Sequence, residues 1–335
     1  AFSETAYYDA VISNYFNRFN NINFPKRKIL YTNLIQNLRY GENPQQMGAF
    51  YSQSKKNRLE QIHGKTLSYN NYNDIFAAIT ISKSLPKNTG TVIVKHGNPC
   101  GVSALKNNLD SYKSALETDP ISAFGGIVSC NYKITQKIAV MINKIFLEVI
   151  VANGFDKKAL KILRSKKNLR IIDSSKISLN QVWKFNSFDN FTLIQSEDKK
   201  IFSKKDFRIV SKRQPSKSQL DNLMFAFNVC RYTKSNAIVL ASNKSTIGIG
   251  SGQPSRLDSC EIAINKMNKF SKIKNEIVAA SDAFFPFVDG IEKLVQSGAS
   301  AIVQPAGSIR DKEIIKFANE TNTVLVFSKT RHFRH

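Results

Sequence analysis

An apolar run leads directly into a loop of glycine and proline in the stretch Thr91-Val92-Ile93-Val94-Lys95-His96-Gly97-Asn98-Pro99-Cys100-Gly101. The β-branched residues at its start favour a short buried strand over 91–94, and the glycine and proline that follow favour its end. Helical patterns over 72–84 and 103–117 flank this strand. A strand between helices predicts an α/β protein, and ligands of such folds usually bind at the loops after the strands.

The same alternation of strands and helices extends over most of the chain. Further strands are predicted at 127–130, 145–152, 237–241, 246–249, 277–280, 301–304 and 324–327, and helices at 3–20, 157–167 and 217–231. Residues 30–52 are predicted to be irregular, and a segment rich in Lys, Ser and Asn at 164–218 separates two halves.

The two halves have a similar pattern, because an apolar strand ends in a Gly/Pro loop at 91–101 and again at 301–308. We therefore expect two similar α/β layers rather than one long sheet. The predicted organisation is an N-terminal helix and lead-in at 1–30, a first unit at 31–205 and a second unit at 206–335.

Positive charge dominates the composition: 49 Lys and Arg residues against 25 Asp and Glu residues give a formal net charge of +24 over 335 residues. Such a charge suggests a nucleic acid or an anionic membrane as partner. The lysines, however, occur on nearly every predicted helix and loop, and their densest clusters lack the aromatic residues that stack on bases. We therefore interpret most of them as solvated surface residues, with a basic nucleic-acid-binding protein as the alternative.

The four cysteines are far apart in the sequence, whereas a zinc site needs closely paired thiolates. We therefore expect no metal site. Scattered single cysteines also favour a reducing compartment, which predicts a cytoplasmic protein. No apolar run approaches the ~18 residues that a membrane helix needs, so no membrane partner is expected.

Lys95 and His96, at the end of the first strand, are the first candidates for catalytic residues. In a partly buried cleft two adjacent cations disfavour each other's charged form, which would make a donor and an acceptor usable near neutral pH. The alternative is an ordinary strand end, with the lysine in solvent and the histidine in a turn.

Three other segments suggest ligand binding. Arg39-Tyr40-Gly41 and the C-terminal residues 331–335 offer arginines, whose guanidinium matches phosphate geometry. The consecutive aromatic residues at 283–287 favour a wall for a flat ring, with Asp289 beside it, although a core loop would have the same composition. Gly248-x-Gly250-x-Gly252 does not have the spacing of a dinucleotide-binding loop.

Taken together, the motifs resemble a known family, the transformylase part of the bifunctional purine biosynthesis proteins (AICAR formyltransferase/IMP cyclohydrolase). The resemblance covers essentially the whole chain, and its motifs occur in one order: Leu38–Pro44, Lys95–Gly101, Asp119–Gly126, Lys234–Ala237, Gly248–Arg256, Ser281–Asp289, Gln304–Asp311 and Arg331–His335.

The resemblance implies transfer of a formyl group from 10-formyltetrahydrofolate, the co-substrate, to the 5-amino group of AICAR. This reaction needs a proton acceptor for the amine, stabilisation of a formyl oxyanion and a proton donor for the folate nitrogen that leaves. By resemblance, His96 helps to accept the amine proton, Lys95 supplies the proton to the folate nitrogen and Asn236 orients the reacting groups. No catalytic metal and no covalent nucleophile is expected.

The resemblance also assigns two groups of binding residues. Those expected at AICAR are Arg39, Tyr40, Phe124, Gly125, Glu148, Arg331, Phe333 and His335. Those expected at the folate are Ile121, Gln253, Arg256, Phe284, Pro286, Phe287 and Asp289. The sequence departs from the family pattern at Gln45, where histidine is common, at Asn153, where proline is common, and at Ala306, in a loop that usually reads Gly-Gly-Ser.

For the whole protein, the resemblance implies two tandem cytidine-deaminase-like α/β/α units without the deaminase zinc, since the chain lacks the H-x-E and P-C-x-x-C signatures. It implies a homodimer whose active sites draw on both subunits. It also implies that an IMP cyclohydrolase domain precedes this region in the intact protein and is absent from these 335 residues, so that the chain alone would accumulate FAICAR.

Overall fold

The computed structural model describes residues 1–53, 59–179, 183–200, 202–273 and 275–335. The chain divides into two compact units, one formed by Ala1–Arg58 and Leu67–Asn70 and the other by Leu59–Thr66 and Asn71–His335. Among the helices that the structure describes, none is long and apolar enough to cross a membrane.

The smaller unit holds a long helix and a two-stranded antiparallel sheet. Helix α1 spans Phe2–Phe19, and strands β1 (Asn33–Leu38) and β2 (Gly48–Ser52) pair with each other. The helix predicted at 3–20 is confirmed, whereas the prediction that 30–52 is irregular is wrong. Strand β1 escaped prediction because its apolar residues do not alternate with polar ones, and its register shifts between Leu34 and Gln36.

The larger unit contains two series of elements. The first half has β3 (Glu60–His63), α2 (Tyr69–Ser84, in this unit from residue 71), β4 (Thr91–Lys95), β5 (Asn98–Ser103), α3 (Asn108–Thr118), α4 (Pro120–Ala123), β6 (Ile127–Cys130), α5 (Gln136–Ile142), β7 (Val149–Ala152), α6 (Lys157–Leu163) and β8 (Arg170–Asp173).

An antiparallel hairpin, β9 (Trp183–Phe188) and β10 (Phe191–Ser196), follows the first half. The second half has β11 (Phe207–Ile209), α7 (Lys217–Cys230), β12 (Ile238–Ser242), β13 (Ser245–Gly250), α8 (Arg256–Phe270), β14 (Ile277–Ser281), α9 (Asp289–Gln296), β15 (Ala299–Pro305), α10 (Asp311–Glu320) and β16 (Val324–Ser328).

Within the described part of the chain, twelve strands form one mixed sheet in the order β11-β16-β15-β14-β12-β13-β5-β4-β6-β7-β8-β3. The predicted α/β class is thereby confirmed. Parallel pairs lie at β6-β7-β8 and at β14-β15-β16, and most residues of these strands are apolar and buried, as expected where both faces of a sheet are covered.

The sheet is a repeat of one topology. Reading outward from its centre, β5-β4-β6-β7-β8-β3 and β13-β12-β14-β15-β16-β11 have the same succession of parallel and antiparallel pairs. The helices correspond as well: α2 with α7, α3 with α8, α5 with α9 and α6 with α10. Each half has its own buried apolar cluster, one around Ile93, Val128 and Ile150 and one around Leu240, Ala279 and Ile302.

Two details of the predicted duplication are wrong. The halves do not form separate layers, because β5 and β13 pair antiparallel at Ser103 and Ser245 and join them into one sheet. The counterpart of the strand at 91–95 is β12, whereas the strand at 299–305 corresponds to β7. The predicted correspondence was wrong because the similarity of 91–101 and 301–308 lay in their turn residues. Turn residues do not determine the order of strands in a sheet.

Candidate active site

The pair Lys95-His96 lies at a tight hairpin between β4 and β5. Lys95 pairs with Asn98 across the two strands, and the two residues between them both have positive φ, 53° at His96 and 73° at Gly97. Two consecutive left-handed residues define a type I′ turn, which suits the twist of the flanking strands. Because Val92, Ile93 and Val94 are fully buried, the turn projects from a rigid strand.

Asp74, on α2, binds this turn. Its Oδ2 accepts the His96 N–H at 3.2 Å, and its Oδ1 accepts the Gly97 N–H at 2.6 Å. Burial raises the pKa of Asp74 above its usual value, although the two backbone hydrogen bonds oppose that shift. Sequence reasoning missed Asp74 because nothing local marks a carboxylate that acts on a turn 22 residues away.

Lys95 extends towards the loop 119–125, which follows α3 and contains the short helix α4. Its Nζ donates a hydrogen bond of 2.8 Å to the carbonyl oxygen of Phe124. A Cβ built on Gly125 would lie 4.0 Å from the same Nζ. The structure therefore brings together Lys95 and two residues that were predicted at AICAR, Phe124 and Gly125.

Asp119 shapes that loop from inside the protein. Its carboxylate caps α4 by accepting the Ser122 N–H at 2.9 Å and the Ser122 hydroxyl at 2.7 Å, and Lys266 of α8 lies 2.9 Å away. Burial on its own would raise the pKa of Asp119, but the Ser122 hydrogen bonds and the Lys266 ammonium outweigh it and lower the pKa. A lysine of the second half thus stabilises a loop of the first.

The loop exposes two large apolar side chains, Ile121 at 62% and Phe124 at 60%. The Phe124 ring packs on Phe146, with ring centroids 5.3 Å apart. Ile121 was predicted at the folate and Phe124 at AICAR. Both side chains are accessible on the loop that binds Lys95.

Glu148, directly before β7, lies on the same side of the first half. Its Oε2 accepts a hydrogen bond of 2.8 Å from the buried Asn71 amide, and Arg170 Nη1 lies 3.9 Å away. Its charge also contributes to the raised pKa of Asp74, after the larger effect of burial. Glu148 is therefore close enough to the Asp74 carboxylate for the two charges to repel each other.

Asn236 lies in the second half, two residues before β12. Its backbone N–H and its Nδ2 both donate to the carbonyl oxygen of Gln253, at 3.1 and 2.9 Å, and Nδ2 also donates to Pro254 O at 2.8 Å. Its Oδ1 accepts a hydrogen bond of 2.7 Å from Arg256 Nη2. Every polar atom of the amide is thus oriented by residues 253–256, at the start of α8.

Arg256 is buried, and its guanidinium pairs with the fully buried Asp282 and donates to Ser281 Oγ at 2.8 Å. Asp282 also accepts a hydrogen bond of 2.6 Å from Ser235 Oγ. Arg256 and Gln253 were predicted at the folate, but the hydrogen bonds described here are made within the protein: Gln253 supplies its carbonyl to Asn236, and its own amide donates to Ser251 O. Asp282 was not predicted.

One contact joins the two loops across the centre of the sheet. The Lys234 N–H donates to Asn98 Oδ1 at 3.0 Å. Lys234 lies two residues before Asn236, and Asn98 directly follows the His96-Gly97 turn. The structure therefore brings Lys95, His96 and Asn236 to one region, although they are 140 residues apart in the sequence.

The C-terminal segment binds the same loop. Ser235 N–H donates to Arg334 O at 2.9 Å, Arg334 N–H donates to Ser235 Oγ at 3.0 Å, and His332 N–H donates to Asp282 O at 3.0 Å. The predicted ligand residues here are at the surface: Arg331 lies over the Phe333 ring, 4.5 Å from its centroid, and that ring is 5.7 Å from His335.

His332 anchors this segment. Its Nδ1 is 2.5 Å from Asp198 Oδ2, and its ring packs against Phe202 and Phe227. Burial alone would raise the pKa of Asp198, but the hydrogen bond and the charge of His332, together with Arg231, lower it. The resemblance assigned Arg331, Phe333 and His335 to AICAR and left out His332, for which no structural role was predicted.

The aromatic segment after β14 is divided between core and surface. Phe285 is buried, whereas Pro286 and Phe287 are exposed and Phe284 is half-buried. The Arg310 guanidinium lies 4.9 Å from the centroid of the Phe287 ring, which makes Arg310 a neighbour that the sequence did not indicate. Asp289 begins α9 at the surface, with its carboxylate bonded to the Gly290 N–H.

Arg39 and Tyr40 follow β1 in the smaller unit. The Arg39 guanidinium lies 5.8 Å from the Tyr40 ring, and the next residue, Gly41, donates its N–H to Gln46 O at 2.7 Å and closes the connection to β2. Arg39 is exposed and Tyr40 half-buried. Their proximity to the Lys95 turn stays a prediction.

The cysteines are structural residues. Burial raises the pKa of Cys100, which lies in β5, to about 12 and that of Cys260 to about 12, so both are neutral thiols at neutral pH. Among the residues that the structure describes, no group of three His, Cys, Asp or Glu residues is placed to hold a metal ion.

Comparison with known proteins decides the family. The profile described as "AICARFT/IMPCHase bienzyme" matches residues 1–266. The chain belongs to the AICARFT/IMPCHase bienzyme family. Proteins named bifunctional purine biosynthesis protein PurH match the whole chain at 44% identity in Leptospira biflexa serovar Patoc, 42% in Caldicellulosiruptor saccharolyticus and 41% in Aquifex aeolicus. The chain covers 65%, 66% and 66% of those relatives, just under two thirds of their length.

Membership of the AICARFT/IMPCHase family confirms the resemblance and gives no support to the alternative of a nucleic-acid-binding protein. The three residues that depart from the family pattern have these surroundings. Gln45 is exposed in the β1–β2 connection, Asn153 donates to Asn131 O at 2.9 Å, and Ala306 donates its N–H to Ser328 O at 3.3 Å.

Proposed function

We propose that the protein is an AICAR formyltransferase, which transfers a formyl group from 10-formyltetrahydrofolate to the 5-amino group of AICAR in purine biosynthesis. The observation that carries the proposal is the meeting of the Lys95-His96 turn with the Asn236 loop, joined by the Asn98–Lys234 hydrogen bond. Family membership and relatives named for purine biosynthesis support the same activity.

In this mechanism the amine of AICAR attacks the formyl carbon and loses a proton. The bond between the formyl carbon and the folate nitrogen breaks, and that nitrogen gains a proton. His96, exposed at the tip of the turn, accepts the amine proton, and Lys95 supplies the proton to the leaving nitrogen. The hydrogen bond from Lys95 Nζ to Phe124 O aims the ammonium along the loop that would border the substrate. Asn236, whose amide is fixed by three partners, orients the reacting groups.

We further propose the two binding surfaces that the resemblance implies. AICAR would contact Arg39, Tyr40, Phe124, Gly125, Glu148, Arg331, Phe333 and His335. The folate would contact Ile121, Gln253, Arg256, Phe284, Pro286, Phe287 and Asp289. The exposure of Ile121, Phe124 and Phe287, all above half, supports apolar contacts to ring systems at these places. Both substrates are anionic, so the excess of positive charge would assist their approach.

The family resemblance also guides our proposals on domain organisation, oligomeric state and metal requirement. We propose that 31–205 and 206–335 are two cytidine-deaminase-like units without zinc, which the repeated strand order supports. We propose that the protein is a cytoplasmic homodimer with shared active sites, and that formyl transfer needs no metal. We also propose that cyclohydrolase activity belongs to the part of the relatives' length that the 335 residues do not cover.

A spectroscopic assay of tetrahydrofolate formation from 10-formyltetrahydrofolate and AICAR tests the proposed reaction. His96→Ala and Lys95→Ala are each expected to lower kcat by about 100-fold or more, the contribution of a positioned acid or base. Lys87→Ala, at an exposed lysine before β4, is the matched control and should retain full activity. Folded His96→Ala and Lys95→Ala variants with unchanged activity would refute the roles assigned here.

A further inference from the structure

We propose that Asp74 is a positioning residue for His96: its carboxylate holds the His96-Gly97 turn and so sets the direction from which the imidazole meets the substrate. This inference rests on the proposed function, because its consequence is a change in the rate of formyl transfer. It concerns a residue on α2 that would not itself touch the reacting atoms.

The turn needs external support. His96 is not a glycine and yet has φ of 53°, a conformation that costs a residue with a side chain roughly 1 kcal/mol or more. In a type I′ turn the N–H groups of the two central residues point away from the ladder and are not used by the hairpin itself. At this turn both are bound by the same carboxylate, at 3.2 and 2.6 Å.

The carboxylate is attached to a rigid element. On α2 the neighbours of Asp74 that face the core, Ile75, Ala78 and Ile79, are fully buried. On the other side the turn continues into β4, whose Val92 and Val94 are fully buried as well. Asp74 therefore links α2 to the turn at the end of β4. A loss of its hydrogen bonds would release the turn without changing the buried residues of α2 or of β4.

The electrostatic setting explains why a carboxylate, rather than a neutral group, fits here. Two N–H donors converge on Asp74, and an ionised carboxylate can accept both, whereas an amide would direct its own NH₂ at one of them. Asp74 has this arrangement despite partial burial and the nearby negative charge of Glu148, which together raise its pKa. Asn71 and Arg170, which contact Glu148, limit that repulsion.

The test is the isosteric variant Asp74→Asn, with Asn73→Ala, an exposed neighbour on α2, as matched control. We expect Asp74→Asn to lower kcat by about 10- to 100-fold, the range expected when a catalytic group is misplaced by about 1 Å. The KM values for AICAR and 10-formyltetrahydrofolate should stay close to those of the parent, because the binding surfaces are unchanged. A parental kcat, or a loss confined to KM, would overturn the proposal.

A double-mutant cycle with His96→Ala separates positioning from a general structural effect. If Asp74 acts through His96, Asp74→Asn should have little further effect on the residual rate of His96→Ala. Independent, multiplying losses would refute action through His96. If Asp74→Asn does not fold, Asp74→Glu, which keeps the charge on a longer side chain, takes its place with the same expectations. A parent protein without formyl transfer would refute the proposed function itself, whereas an active parent with an unaffected Asp74 variant would refute only this inference.

Discussion

Asn236 has hydrogen-bond partners at both polar atoms of its side-chain amide. Its amide nitrogen has two carbonyl partners, Gln253 O and Pro254 O, and its oxygen has one donor, Arg256. An amide in such a setting is held in one orientation, since rotating it would put donors against donors and acceptors against acceptors. This is the property that a group aligning two substrates requires.

Asn236→Asp should therefore be destabilising. The substitution puts a carboxylate oxygen within hydrogen-bond distance of two carbonyl oxygens, and we expect a loss of about 1–3 kcal/mol in the free energy of unfolding. Thermal unfolding of the parent and the variant measures the loss, with Asn73→Asp at an exposed position as control. A variant as stable as the parent would show that these hydrogen bonds do not orient the amide.

Replacement of Arg256 should destabilise the protein by breaking a buried ion pair. With its partner Asp282 fully buried, Arg256→Met leaves an unpaired charge in the interior, and we expect about 3–5 kcal/mol of destabilisation. The double variant Arg256→Met/Asp282→Leu removes both charges and should be less destabilised than the single one. Denaturant unfolding of the three proteins checks this, and a double variant worse than the single one would contradict the ion pair as the cause.

At the scale of elements, the glycines of β13 illustrate what the sequence could and could not tell. Their glycine-rich sequence superficially resembles a dinucleotide-binding loop, although the spacing differs, and Gly248 and Gly250 lie in a strand directly beneath α8. A Cβ on Gly250 would be 1.9 Å from Ser259 O, and Gly101 of β5 has the same relation to Ala115 O of α3, at 1.8 Å. The repeat thus requires close contact between helix and strand in both halves.

Gly250→Ala should accordingly cost more stability than Gly252→Ala. The first substitution forces backbone apart, a cost at or above the ~3 kcal/mol upper end of ordinary overpacking. The second has free space around its Cβ and meets only the strain of its φ of 68°, roughly 1–2 kcal/mol. Thermal midpoints of the two variants decide; equal losses would contradict the packing explanation.

The predicted strands are apolar ones such as β7 and β12, whereas β2, β3, β5, β8, β9, β10 and β11 were not predicted. β1 was missed because its residues do not alternate. Of the site, sequence and resemblance together indicated Lys95, His96 and Asn236, whose motifs are contiguous in the chain. Asp74, Asp282 and Lys266 were not found, since each acts on a segment far away in sequence, and only the fold brings them there.

At the scale of the whole molecule, buried hydroxyl groups join the two halves. Thr246 Oγ1 accepts the Val102 N–H at 2.9 Å and is 2.9 Å from Thr118 Oγ1, and Ser103 Oγ is 2.8 Å from Ser245 Oγ. These contacts lie where β5 meets β13, at the end of β5 opposite the His96-Gly97 turn. The junction therefore sets the relative position of the halves.

Thr246→Val should weaken this junction, because it leaves the buried Val102 N–H without its acceptor, at a cost of about 1–3 kcal/mol. Thr246→Ser keeps the hydroxyl and serves as control. We expect a lower thermal midpoint and reduced formyl transfer for the valine variant alone. Equal behaviour of the two variants would show that the hydroxyl does not matter.

Asp119 and Lys266 make a second connection between the halves, and its strength should depend on pH. The pKa of Asp119 is lowered in the folded protein, so its stabilisation is present above the pKa of the unfolded chain and is lost as pH falls through the folded value. Asp119→Asn should therefore be less stable than the parent at pH 7, and the difference should shrink in acid. Thermal midpoints between pH 7 and pH 3 test this; a difference that does not change with pH would contradict the ion pair.

We propose that Lys95, His96 and Asn236 form one site that transfers a formyl group. The most direct measurement is tetrahydrofolate formation by the purified protein with AICAR and 10-formyltetrahydrofolate, compared with that of its folded His96→Ala variant. We predict formyl transfer by the parent and a loss of about 100-fold or more in the variant. A folded parent protein that forms no tetrahydrofolate, or a variant as active as the parent, would contradict the account.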